Sequence, residues 1–164
     1  MSIRIANESD WPRIVEIYNE AVATGYSTAD TVPVTIESKR DWLESHTADR
    51  YPIYVEEDGQ SIAGWCSLSA YRPGRLALRH TAEISYYVSV SHWRKGVASR
   101  LIRHAIEDAK RLDFRSYFGI LLESNQGSVN LLRRLGFEEW GRLPNVAKIA
   151  DKELDHVYWG KRVG

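Results

Sequence analysis

The stretch Thr81-Ala82-Glu83-Ile84-Ser85-Tyr86-Tyr87-Val88-Ser89-Val90-Ser91-His92-Trp93-Arg94-Lys95-Gly96-Val97-Ala98-Ser99-Arg100-Leu101 decides the architecture. In its first ten residues Ala82, Ile84, Tyr86, Val88 and Val90 point one way, while Thr81, Glu83, Ser85, Tyr87 and Ser89 point the other. That is the period-two pattern of a strand with one apolar and one polar face. A second period then takes over: Val97, Leu101, Ile102, Ala105, Ile106, Ala109 and Leu112 recur at helical spacing, so a helix begins just after Gly96. The turn between them has small residues at 96 and 98. Backbone N–H groups at a helix start lack partners inside the helix, and small side chains admit a ligand closely. The turn therefore suits an anion such as a pyrophosphate. Arg94, Lys95 and Arg100 add positive charge there. The turn lacks both Gly-Lys-Ser/Thr after a four-residue spacer and Gly-x-Gly-x-x-Gly, which points away from nucleotide hydrolysis and nicotinamide binding.

The rest of the composition sharpens this reading. The 164 residues carry 22 Lys+Arg against 22 Asp+Glu, so a neutral chain has no bulk attraction for nucleic acid or an anionic membrane. Any bound anion must be held locally. The single cysteine, Cys66, closes no intrachain disulfide, and no Cys/His cluster has zinc spacing. No metal is expected, and a reducing compartment, the cytoplasm, is the expected location. No apolar run approaches the roughly 20 residues of a membrane span. The length suits one domain, taken as residues 1–164.

Outward from the central strand, Ile3 to Ala6 reads as a short strand, with Ser9 or Asp10 as N-cap of a helix whose apolar stripe is Ile14, Ile17, Tyr18, Ala21 and Val22. Gly25 ends it, Tyr26 to Val34 is a loop, and Ile36 to His46 is a shorter helix. Tyr51 to Glu57 and Ser61 to Ala70 form a hairpin around Asp58-Gly59. The loop Tyr71 to His80 holds Arg72, Arg75 and Arg79. Beyond the central helix come a strand around Tyr117 to Leu122, a helix from Gly127 to Leu135 closed by Gly136, and two strands at Glu138 to Gly141 and His156 to Arg162. Strands alternating with helices, plus hairpins, give an α+β, mixed-sheet domain.

Trp93-Arg94-Lys95-Gly96-Val97-Ala98 resembles the Gln/Arg-x-x-Gly-x-Gly/Ala signature of the GNAT superfamily of N-acetyltransferases, departing at Trp93. A second signature follows in order: Asn125, Ser128 and Leu131, then Leu135-Gly136-Phe137. Within the superfamily the likeness is to the phosphinothricin and methionine sulfoximine acetyltransferases and spans nearly the whole chain. It includes Ile17-Tyr18-Asn19, Gly64-Trp65, Tyr71-Arg72, Thr81 to Val88 and Leu154 to Trp159.

The resemblance implies a single GNAT-like domain: a twisted, mostly antiparallel mixed sheet, splayed between its fourth and fifth strands and flanked by helices. It implies acetyl-CoA as cosubstrate, direct transfer to the primary amine of a small amino acid or similar compound in a ternary complex, and a homodimer. Glu83 is then the base, and the backbone N–H of Val88 meets the thioester oxyanion. Val88 and Val90 pair with the pantetheine arm. Trp93, Arg94, Lys95, Gly96, Val97, Ala98 and Ser99 surround the pyrophosphate, and Asn125 and Ser128 border the cofactor arm. Arg75, Arg79 and Tyr26 are the acceptor candidates. Where the resembling enzymes carry Tyr or His to protonate the thiolate, this chain has Leu132, leaving Tyr87 as a candidate. Acetylation of a protein N-terminus or peptide, and a non-catalytic acyl-CoA-binding sensor or scaffold, are the competing readings.

Overall fold

A computed structural model describes residues 1–164. Seven strands, β1 (Ser2–Ile5), β2 (Ile53–Asp58), β3 (Ser61–Ala70), β4 (Thr81–Val88), β5 (Ser116–Leu122), β6 (Glu138–Ile149) and β7 (Lys152–Arg162), form one open sheet in the order β1-β2-β3-β4-β5-β7-β6. Four helices flank it: α1 (Trp11–Thr24), α2 (Ile36–Glu44), α3 (Val97–Asp108) and α4 (Gln126–Arg134). All neighbouring strands are antiparallel except β4 and β5. That parallel pairing joins Thr81–Glu83 to Ser116–Phe118 and then stops. β4 continues to Val88 and β5 to Leu122, so the sheet is splayed there, as the family resemblance implies.

The alternation along β4 serves two cores. Ala82 and Ile84 join Leu101, Ile102, Ala105 and Leu132 in the larger core beneath α3 and α4. On the opposite face Ile14, Ile17, Leu43, Val55 and Trp65 make a second core with α1 and α2. The face expected to be polar is therefore covered. Tyr87 packs there between Tyr18 and Trp65, with ring centroids 5.0 Å from each, edge-on to the first. A strand buried on both faces keeps its hydroxyl-bearing aromatics inside, and simple alternation does not reveal this.

Some details differ from expectation. Asp10 stands at the N-cap of α1 as expected, but its side chain makes no cap bond and pairs with Arg4 at 2.7 Å, while Asn7 forms a capping box on the 3-10 turn Glu8–Asp10. α2 ends at Glu44. β6 and β7 run far beyond Glu138–Gly141 and His156–Arg162 as a hairpin turning at Ala150 and Asp151. Most of β6 is exposed, including Trp140, Leu143 and Val146, so it lacks the buried alternation that makes a strand readable.

Gly64 fixes where α3 meets the sheet. A Cβ at this position would lie 2.9 Å from both the Tyr87 carbonyl and Val97 Cγ1. Gly64→Ala is expected to displace the start of α3, costing about 1–3 kcal/mol by chemical denaturation and weakening acetyl-CoA binding. Unchanged stability and binding would contradict this packing.

Candidate active site

The splay, the start of α3 and one face of α4 enclose a cavity of about 660 Å³. β4 contributes Ile84, Ser85, Tyr86, Tyr87 and Val88 to its wall. The ladder shows how the backbone is presented. Ser89 N–H donates to the Ala63 carbonyl at 2.9 Å, so in this antiparallel pair the odd-numbered residues of β4 bond to β3. Ile84, Tyr86 and Val88 consequently turn their N–H and C=O groups toward the splay.

At the end of β4 the chain makes a 3-10 turn, Val90–His92, and then a curled approach to α3. Arg94 and Gly96 both have left-handed backbone, with φ of 62° and 78°. Left-handed residues alternating with ordinary ones curl successive N–H groups toward a common point, an anion nest. Gly96 is the N-cap of α3 and makes no side-chain cap bond, so the first helical N–H groups are left to a ligand. Trp93, Arg94, Gly96, Val97, Ala98 and Ser99 all line the cavity, as do Asn125, Ser128 and Tyr26. Its size and donors fit the pyrophosphate and extended arm of a coenzyme A thioester.

Several side chains hold this shape. The Trp93 indole N–H donates to the Val88 carbonyl at 2.9 Å, fixing the end of β4 from within the signature turn. Val90 does not present a free edge as expected: its N–H donates to Glu20 of α1 at 2.6 Å. Arg100 likewise departs from its expected part in binding the anion. Its guanidinium pairs with the fully buried Glu56 at 2.6 Å and donates to the Lys95 carbonyl at 2.9 Å, so it braces the turn from behind. Asn125 caps α4 by accepting from Ser128 N–H at 3.3 Å, which leaves its amide N–H groups available to the cavity.

Other expected residues lie outside. Glu83 is half-buried at the root of the splay, where β4 last pairs with β5, and burial pushes its carboxyl pKa up. Arg75 stands exposed before the 3-10 turn Leu76–Leu78, and Arg79 Nε donates to His80 Nε2 at 3.1 Å. Neither arginine nor Val90 nor Lys95 lines the cavity. Tyr26 does, on a loop tied to α1 by the reciprocal Asn19–Val34 bonds of 2.9 and 2.8 Å. Gly127, Asn130 and Arg134, absent from the sequence expectations, also line it, together with Leu131 of the second signature. Their spacing of i, i+3, i+4 and i+7 marks one helix face and was the available signal.

The Acetyltransferase (GNAT) family matches residues 11–137, a span that includes both signatures, the splay and the cavity. The chain belongs to the GNAT acetyltransferase family. It is 37% identical, over 99% of each chain, to the Bacillus subtilis protein YwnH, provisionally named a phosphinothricin acetyltransferase. It is 32% identical to the L-methionine sulfoximine/L-methionine sulfone acetyltransferase of Pseudomonas paraeruginosa, over 96% of this chain and 91% of that one. Among solved structures, a phosphinothricin acetyltransferase from Sinorhizobium meliloti in complex with acetyl-CoA superposes with a TM-score of 0.91. It is 27% identical over 99% of this chain and 88% of that chain. The GNAT assignment makes the protein an N-acetyltransferase.

The brace behind the nest gives a stability test. Arg100→Ala leaves the buried Glu56 carboxylate unpaired, and the unfolding free energy is expected to fall by about 2–3 kcal/mol. This is less than for a fully buried pair, because the arginine side chain is 42% exposed. Urea unfolding of the two proteins measures it, and no change would contradict a bracing role.

Proposed function

We propose that this protein moves the acetyl group of acetyl-CoA directly to the primary amine of a small amino acid or amino-acid-like compound, of the phosphinothricin or methionine sulfoximine type, within a ternary complex. The reading rests chiefly on one observation: the anion nest at Gly96 and the opened edge of β4 share a single cavity. Acetyl-CoA supplies an activated acyl carbon and a thiol leaving group.

Gly96, Val97, Ala98 and Ser99 hold the pyrophosphate through backbone N–H groups, with Arg94 and Lys95 adding charge. Asn125 and Ser128 border the extended arm, and Val88 offers its N–H to the developing oxyanion. Side chains alternate across β4, so the even residues face α3 and α4 while Glu83, Ser85 and Tyr87 face α1. Cofactor and amine thus approach from opposite sides and meet at the splay.

Glu83 and Val88 are five residues apart, roughly 16 Å along an extended strand. A glutamate so placed acts on the amine through water. The α-amine of a free amino acid, beside its own carboxylate, is more basic than a peptide α-amine at about 8, so it is largely protonated near neutral pH and needs a base. The raised pKa of Glu83 gives the test its sign. The carboxylate is the active form, so kcat/KM falls as pH drops through a value above the ordinary glutamate range of about 4.3. Glu83→Gln is expected to remove that acidic limb and lower kcat about 100-fold, with acetyl-CoA binding retained. An unchanged pH profile in the variant would exclude Glu83 as base.

For the acceptor, Tyr26 forms part of the cavity wall, and Arg75 and Arg79 are assigned to the carboxylate or phosphinate of the incoming amino acid. This requires the loop before β4 to lie over the bound acceptor. Free-thiol release from acetyl-CoA, measured against methionine sulfoximine, phosphinothricin and ordinary amino acids, tests the substrate class. Arg75→Ala is expected to raise KM for the amine about tenfold without changing KM for acetyl-CoA. An unaltered amine KM would remove Arg75 from the acceptor site. The homodimer and cytoplasmic location belong to the same reading, and sedimentation velocity tests the former.

A further inference from the structure

The proton-donor position familiar from the resembling enzymes is taken here by Leu132, which is fully buried in the core under α4. A different hydroxyl reaches this region. Tyr86 lies on the α3/α4 face of β4, directly opposite Cys66 of β3, and lines the cavity together with Ser128 of α4. Its hydroxyl is enclosed and makes no hydrogen bond of ordinary geometry, although the Ser128 side chain lies near enough to draw its pKa down. An enclosed donor without a partner is costly, and such a group in a cavity wall marks a place where a ligand completes the bonding. Tyr87 is disposed otherwise, since its ring lies on the opposite face among Tyr18 and Trp65.

We propose that the Tyr86 hydroxyl donates a hydrogen bond to the sulfur of coenzyme A and stabilises it as a leaving thiolate. The inference rests on the acetyl-CoA reading given above. In the step, the amine nitrogen bonds to the acetyl carbon, the C–S bond breaks, and its electron pair departs with sulfur. The proton of the amine passes through water toward Glu83, while Tyr86 keeps its own proton throughout.

Donation without transfer follows from acidity. An ordinary tyrosine, with a pKa of about 10, is no stronger an acid than an alkyl thiol. Burial pushes the Tyr86 hydroxyl further up, opposed by Ser128 and reinforced by Cys66 and Tyr87. Full proton transfer to the thiolate would run uphill, whereas a hydrogen bond to it would not. The residue is catalytic in the sense that it touches the departing atom.

Tyr86→Phe removes one oxygen and keeps the ring. Two readouts test it, with thermal melting to establish that the variant is folded. In the first, free CoA is bound to each protein and its thiolate is followed by ultraviolet absorbance across pH. The wild type is expected to bind CoA with a thiol pKa below that of free CoA, and Tyr86→Phe to restore the value toward that of free CoA. Desulfo-CoA is expected to bind both proteins equally. In the second, kcat is expected to fall about 10- to 100-fold with KM for acetyl-CoA unchanged, the scale of a hydrogen bond to a charged group.

Equal thiol pKa values and equal kcat in the two proteins would overturn the role of Tyr86 while leaving the acetyltransferase reading intact. A wild type that binds neither CoA nor acetyl-CoA would overturn both. Should Tyr86→Phe fail to fold, the wild-type titration alone decides: a bound thiol pKa equal to that of free CoA overturns the proposal.

Discussion

The pairing of β4 with β5 ends after three residues, and most of what is distinctive in this protein depends on that early ending. A strand inside a sheet ordinarily satisfies both backbone edges, and unpaired N–H and C=O groups away from water are costly. Beyond that pairing β4 has a strand partner only in β3, and its other edge faces a cavity, with the Val88 carbonyl taken by the Trp93 indole. An extended amide-bearing arm is the natural complement of such an edge, because it makes the bonds that a neighbouring strand would have made. The splay can therefore receive such an arm without requiring charged side chains.

Neutrality of the whole chain fits this arrangement. The nest at Arg94 and Gly96 collects partial charges from backbone N–H groups, and the cations that do contribute are few and local. Around the nest the supporting bonds come from distant parts of the chain. Glu20 holds Val90 from α1, Trp93 ties the turn back to Val88, and Arg100 is anchored on Glu56 of β2. Gly64 lets the first turn of α3 sit close to the sheet. A left-handed non-glycine residue such as Arg94 persists when its surroundings determine it, and these bonds are those surroundings.

The sequence made some of this visible and concealed the rest for identifiable reasons. The period change from Thr81–Val90 to Val97–Leu112 locates the strand, the turn and the helix, because local backbone periodicity is written in adjacent residues. The spacing of Gly127, Asn130, Leu131 and Arg134 puts them on one face of α4, but tertiary packing decides that this face meets the cavity. Arg100 was misplaced because its partner, Glu56, is 44 residues away, and local sequence does not show which carboxylate a guanidinium will meet. The same holds for Glu20 and Val90, 70 residues apart. Tyr86 and Tyr87 are adjacent in sequence and both aromatic, yet strand geometry sends them to opposite cores with different chemical opportunities. The two last strands are readable at Glu138–Gly141 and His156–Arg162, but not the full length of their hairpin, because an exposed strand carries no hydrophobic period.

In the proposed function, backbone N–H groups of the Gly96 turn and of the opened β4 edge hold acetyl-CoA. Amide-resolved NMR on 15N-labelled protein titrated with acetyl-CoA tests it most directly. The largest shifts, and new protection from solvent exchange, are expected at Gly96, Val97 and Ala98 and at Tyr86 and Val88. Saturable binding whose amide changes fall elsewhere, with those five left unmoved, would contradict it.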